Sequence, residues 1–285
     1  MRIQLLILLG LMFSSLSSNA TKFQVDLAFP EARKINNSCF VIPIKRAQNL
    51  ILLEGRIGNQ KGNFIFDTGA KCLVLNKTYF RDFRKIEGAL QAGVSGNNGN
   101  VYRTSVDTLM IRDIQLQNIE ADVSDLGHIE NRRGVKVLGL LGTSLFEEYM
   151  IVVDLAGGLL YFYQDCKPIE VINGLNPGIS LPLLYKNGAI IVQCSISGNP
   201  LNFCLDTGAE TNVLNARCSK KIIREFNVQR RFMLNGSGGS RNEVLYGYLN
   251  NLKVGNQAYT NTRALVTNLD PLGKAYDFPI DGILG

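Results

Sequence analysis

The chain repeats itself. Slid by 139 residues, it aligns with itself without a gap from Pro43 to Asn76, with Pro43 on Pro182, Ile51 on Ile190, Ile57 on Ile196, Asn63 on Asn202 and Phe64 on Phe203. In each copy an apolar run then delivers the same tetrapeptide, Asp67-Thr68-Gly69-Ala70 and Asp206-Thr207-Gly208-Ala209, and Val74-Leu75-Asn76 meets Val213-Leu214-Asn215. The repeat unit is far longer than those of solenoids or propellers, so it reads as a duplicated lobe. One Asp-Thr-Gly would be ordinary turn chemistry, since Asp bonds its own backbone and Gly accepts unusual dihedrals. Two at matched positions imply that the aspartates act together.

A chain of 285 residues can bury one large core or two modest ones, and the repeat decides for two. Hydrophobic content of 46% and charged content of 19% suit a globular protein. The net charge of +6 is spread along the chain without a Lys/Arg block, which argues against a nucleic-acid partner. The single histidine, His128, lies in a polar segment with no nucleophile signature and reads as a solvated loop residue. One histidine and the absence of a CxxC pair leave no metal site to expect, so carboxylates are the main candidates for catalysis.

Residues 1–20 look like a secretory leader: Arg2, the apolar run Leu5 to Phe13, then a small-residue end at Ser18-Asn19-Ala20. The run is too short to span a bilayer, so the expectation is an exported protein with no stable membrane anchor after cleavage. Cys39, Cys72, Cys166, Cys194, Cys204 and Cys218 are compatible with disulfides in such a compartment. Small buried strand residues are an equally open reading, with Cys194 and Cys204 flanking a hairpin at Gly198-Asn199-Pro200.

In order, the chain divides into the leader (1–20), an N-terminal segment (21–39), a first lobe (40–163), a linker rich in breakers (164–178) and a second lobe (179–285). The first lobe opens on Phe40 to Ile44, expected as an edge strand because of Pro43. A hairpin over Asn49 to Phe66 leads into Asp67, and Leu73 to Leu75 form another strand. Asn76 is expected to cap a short helix through Thr78 to Phe83. A glycine-rich stretch, Gly93 to Asn100, is flanked by strand-like sequence and so reads as a mobile hairpin and not a phosphate cradle. Further strands, the run Val137 to Gly142, a short helix at Ser144 to Tyr149 and two last strands complete the lobe. The second lobe repeats this order, with a glycine loop at Gly236 to Gly239, but stops at Gly285, the match of Gly142. It therefore lacks the closing helix and strands, and either the chain continues or another segment completes the lobe.

With these pieces assembled, the sequence resembles the retropepsin-like aspartic peptidases, two copies in one chain. The matching elements in each copy are the strand into Asp-Thr-Gly-Ala, the glycine-rich hairpin in the place of the flap, and Leu140-Leu141-Gly142 or Ile283-Leu284-Gly285. The resemblance implies an all-β fold of two tandem, closed barrel-like lobes with short helices, related by a pseudo-twofold axis. It implies Asp67 and Asp206 as the catalytic pair and Thr68, Gly69, Ala70, Thr207, Gly208 and Ala209 as their supporting loops, the threonine hydroxyls tying those loops together. Flap residues would include Gly93, Gly96, Tyr102, Gly236, Gly238, Gly239 and Tyr246. Glu210, which follows the second tetrapeptide, could hold substrate backbone as an aspartate does in viral relatives, whereas its counterpart Lys71 cannot accept a hydrogen bond. An ion pair between Lys71 and Glu210 and two solvated side chains are both open.

Two carboxylates in contact cannot both ionise cheaply, so one keeps its proton while the other activates a water against a peptide carbonyl. The expected activity is endopeptidase cleavage of a peptide or protein substrate at acidic pH, without cofactor. The expected state is a monomer with its own lobes paired, a homodimer being the variant. An inactive peptide-binding module on the same fold is the alternative from a different class.

Overall fold

The computed structural model describes residues 33–36, 39–81, 102–164, 179–235 and 241–285. The leader, most of the N-terminal segment, nearly all of the linker and the flap glycines Gly93, Gly96, Gly236, Gly238 and Gly239 lie outside the described residues.

The chain is mostly β and forms two lobes. In the first, β1 (Arg33–Asn36), β2 (Cys39–Pro43), β3 (Lys45–Ala47), β4 (Leu50–Ile57), β5 (Gln60–Phe66), β6 (Leu73–Asn76), β7 (Tyr102–Ile111) and β8 (Ile114–Ser124) lead to a helix, α1 (Gly127–Arg133). β9 (Val137–Leu141), a 3-10 turn at Thr143–Phe146, β10 (Met150–Asp154) and β11 (Leu159–Tyr163) follow. The second lobe contains β12 (Leu183–Lys186), β13 (Ala189–Ile196), β14 (Asn199–Leu205), β15 (Asn212–Asn215), α2 (Lys220–Ile223), β16 (Phe226–Asn235) and β17 (Arg241–Leu249). It ends with β18 (Leu252–Val254), β19 (Gln257–Tyr259), β20 (Thr262–Thr267), α3 (Asp270–Tyr276) and β21 (Gly282–Leu284).

The first lobe is a closed barrel, because its sheet order β4-β5-β9-β6-β8-β7 returns through the pairing of β7 with β4. The second lobe has the same core order, β13-β14-β21-β15-β20-β17, but there the sheet curls and β18, after a break at Asn250-Asn251, pairs back onto β13. Both lobes share one device. The strand ending at the aspartate runs parallel to the lobe's Leu-Leu-Gly or Ile-Leu-Gly strand, Phe66 opposite Leu141 and Leu205 opposite Leu284. That strand in turn pairs antiparallel with β6 or β15.

The first half of β4, Leu50 to Leu53, and all of β9 are apolar on both faces because both faces are covered there. On one side Phe64, Phe66, Leu53 and Ile111 pack with Phe146 and Phe162, whose rings stand 4.9 Å apart. On the other, Leu50, Leu52, Ile65 and Leu140 pack against Leu126 and Ile129 of the α1 region. Each such side chain contributes about 2 kcal/mol of burial. The second lobe repeats the two-sided pattern, with Ile191 and Cys204 in one cluster and Val192, Cys194 and Phe203 in the other.

Several expectations need correction. β2 is not an edge strand: it lies between β1 and β11, and Pro43 is tolerated because it is the last residue of the ladder, opposite Leu159. Residues 77–79 make a turn, which the Asn76 side chain caps by accepting from Thr78 N–H at 3.1 Å; Asp82 and Phe83, the end of the expected helix, lie outside the described residues. The helix expected at Ser144 to Tyr149 is a 3-10 turn over Thr143–Phe146. His128 is in α1 and not in a loop; it is half-buried, and its Nε2 has no hydrogen-bond partner. Of the cysteines, Cys72, Cys194 and Cys218 are free thiols, and Cys194 and Cys204 lie buried on the neighbouring strands β13 and β14, with Leu201 opposite Cys194.

Candidate active site

Each aspartate sits where its strand leaves its lobe's sheet. The Asp67 N–H donates to Leu141 O at 3.0 Å and the Asp206 N–H to Leu284 O at 2.8 Å, so the parallel ladder fixes both backbones. The turn then fixes the side chains. Asp67 Oδ1 accepts from Gly69 N–H at 2.8 Å, and Asp206 Oδ1 accepts from Gly208 N–H at 2.9 Å and Ala209 N–H at 3.1 Å. Both residues are buried, at 3% and 8% exposure, an unusual place for carboxylates without a task.

The two triplets are joined across the lobe boundary. Thr68 N–H donates to Thr207 Oγ1 and Thr207 N–H to Thr68 Oγ1, both at 3.0 Å. The Thr68 hydroxyl donates to Leu205 O at 2.9 Å and the Thr207 hydroxyl to Phe66 O at 2.7 Å. Each hydroxyl thus accepts one bond and donates one, which satisfies four backbone groups that the turns leave open.

Glycine is required in both triplets by what lies opposite. A Cβ on Gly69 would stand 2.1 Å from Asp206 Oδ1, and one on Gly208 would stand 2.5 Å from Asp67 Cγ. Gly69 is therefore flanked by both carboxylates: one accepts its N–H, and the other occupies the space of its missing side chain. Each acid thus lies in contact distance of the other lobe's triplet turn.

Behind the triplets stands a second repeated pair. Asn76 donates to Val137 O at 2.9 Å and accepts from Leu126 N–H at 3.3 Å; Asn215 donates to Ile280 O at 3.0 Å and accepts from Leu269 N–H at 3.3 Å. Each thereby ties its post-aspartate strand to the helix region and to the approach to the lobe's Leu-Leu-Gly or Ile-Leu-Gly strand. In the first lobe Glu130 extends the network, accepting from Tyr79 OH at 2.5 Å and from Val137 N–H at 2.8 Å. Burial and then Glu130 push the Tyr79 hydroxyl up to about 12, so it remains a donor throughout the physiological range. The Asn pair was visible in the repeat, though its clamping role was not.

The end of each lobe's helix crosses to the other lobe. From α3, Tyr276 OH donates to Gly69 O at 2.9 Å. From α1, Arg132 and Arg133 reach the Glu210 carboxylate, Arg132 Nη2 at 3.8 Å and Arg133 Nη2 in direct contact. Lys71 and Glu210 therefore do not pair with each other. Lys71 is exposed and packs on the Asn187-Gly188 turn, whereas the Glu210 side chain is only 8% exposed. Nothing in the sequence marked Arg132, Arg133 or Tyr276, because they are not repeat partners in type.

Of the flap candidates, Tyr102 opens β7 half-buried, with the Lys77 ammonium 5.9 Å from its ring centre, and Tyr246 sits in β17 against the second-lobe core. β16 and β17 pair from Phe226–Leu249 out to Asn235–Arg241, a long hairpin leading to the glycine loop.

A family model described as "Aspartyl protease" matches residues 53–145 and again 192–285. Among solved structures, the chain is similar to a retropepsin-like aspartic protease from Rickettsia conorii, at 20% identity and a TM-score of 0.31, over 44% of this chain and 90% of that one. No curated protein matches the chain.

Proposed function

The chain belongs to the aspartyl protease family, and from that premise we propose that it is an aspartic endopeptidase whose two lobes share one active site, with Asp67 and Asp206 as the catalytic pair. The observation that carries this reading is the placement of both carboxylates about Gly69, held by reciprocal threonine bonds within one chain.

In the reaction, the ionised carboxyl of the pair takes a proton from a water as the water oxygen attacks the peptide carbonyl carbon. The protonated carboxyl donates to the carbonyl oxygen and stabilises the tetrahedral species. Collapse breaks the C–N bond, a proton passes from the pair to the leaving nitrogen, and the pair returns to its starting protonation. Acid and base roles belong to the pair and not to either residue. Water exclusion falls to the hairpins, including that built by β16 and β17.

The expected substrate is an extended peptide laid across the lobe boundary, and the working unit is a monomer, because the triplets are already satisfied within one chain. A leader-like sequence over residues 1–20 supports export as the setting. The test is cleavage of a mixed peptide library across about pH 3–8, with and without a peptide analogue bearing a tetrahedral alcohol at the scissile position. Acid-range cleavage blocked by the alcohol is expected. Binding of peptides without any cleavage would instead make the crevice a recognition module.

A further inference from the structure

Four residues beyond Asp206, at Glu210, the lobe boundary carries a charge imbalance. The Glu210 carboxylate faces two guanidiniums, Arg132 and Arg133, both in the last turn of α1 in the other lobe. Arg133 is locked, with 1% of its side chain exposed, one nitrogen on Glu210 and another donating to Gln48 Oε1. Arg132 is looser, at 21% exposure and 3.8 Å from Glu210. Arg132 Nη1 and Arg133 Nε are buried and have no hydrogen-bond partner.

Neighbouring acids do not repair this imbalance. Glu130, on the same helix, is committed to Asn76, Tyr79 and Val137, and Asp125 accepts from Gly127 N–H at 2.9 Å. Two cations thus face one carboxylate, and burial lowers the pKa of both guanidiniums, with Arg132 lowering Arg133 further. A second carboxylate placed against the exposed part of Arg132 would offset the excess positive charge.

We infer that this corner recognises an acidic side chain of the substrate, with Arg132 making the contact and Arg133 and Glu210 positioning it. The inference deepens the peptidase reading and rests on it. Glu210 lies within about 14 Å of Asp206 along the chain, and an extended peptide covers the same span in about four residues, which sets how far the Asp or Glu lies from the scissile bond.

The test uses C-terminally amidated decapeptide pools in which one position holds either Glu or Gln and the others are random. At one position within about four residues of the cut, kcat/KM is expected to favour Glu over Gln by about tenfold or more. Arg132→Gln should bring that ratio to about one, Arg132→Lys should keep part of it, and Arg132→Glu should turn the preference toward Gln. Should Arg132→Gln not fold, as judged by its melting transition, Arg132→Lys and the wild-type ratio decide. The same pairs are bound to Asp67→Asn protein by fluorescence anisotropy. If wild type cuts nothing but Asp67→Asn binds the Glu members more tightly, the peptidase reading fails and the recognition stands. A Glu/Gln ratio near one in both cutting and binding, or a ratio that Arg132→Gln leaves unchanged, overturns the inference.

Discussion

Thr68 and Thr207 exchange hydrogen bonds across the lobe boundary, each backbone N–H donating to the other's hydroxyl oxygen at 3.0 Å. The exchange makes one site of two loops 139 residues apart. Thr68→Val should leave Leu205 O and Thr207 N–H without their partner and cost about 2 kcal/mol of stability. Thr68→Ser, which keeps the hydroxyl, should cost less than half as much. Urea unfolding of the two variants checks the difference, and equal midpoints would mean that the exchange carries no stability.

Gly208→Ala should remove activity while leaving a folded protein. Its methyl would stand 2.5 Å from Asp67 Cγ, so the carboxylate must move, and misplacement on the order of 1 Å costs about 100-fold in rate. Peptide cleavage beside circular dichroism reads both halves of the expectation.

Tyr276→Phe deletes the one hydroxyl that α3 sends to the first triplet, leaving Gly69 O unpaired in a buried place. A loss of about 1 kcal/mol is expected from unfolding curves, with a lower kcat because the Gly69 turn also holds Asp67.

His128 gives stability a dependence on pH. Burial favours its neutral form and sets its folded pKa below the ordinary 6.5, so the unfolded chain takes up the proton first. Its contribution is fully present above 6.5 and is lost as pH falls through the folded value. Between about pH 7 and 5 the slope of unfolding free energy against pH should be shallower in His128→Asn than in wild type. Identical slopes would contradict the assignment.

The parts of the fold legible in the sequence are those the duplication wrote twice: the hairpin into each aspartate, the strand after it, and the Gly142 and Gly285 runs. The missed elements are those the copies do not share. α1 lacks a side-chain cap at Leu126 and reads as polar loop, with stop signals only at its end, in Arg132, Arg133 and Gly134, the last at φ 65°. Pro271, near the start of α3, is a readable sign of that helix, though the first lobe has no counterpart to it. Pro43 misled because edge placement is only one way to accommodate proline in a sheet. At the site, Asp67 and Asp206 were found as a repeated pair. Tyr276 and Arg133 escaped because each lobe sends a different residue type from the same helix end, and such cross-lobe contacts leave no local pattern.

The most direct test of the shared site is the kinetics of Asp67→Asn and Asp206→Asn, each made singly and measured on one cleaved peptide. Either change removes a charge while nearly keeping the shape. One site built from both lobes predicts that each variant loses essentially all activity, and that mixing the two restores none. About half the activity surviving in either variant would instead mean that each lobe pairs with its counterpart in another chain.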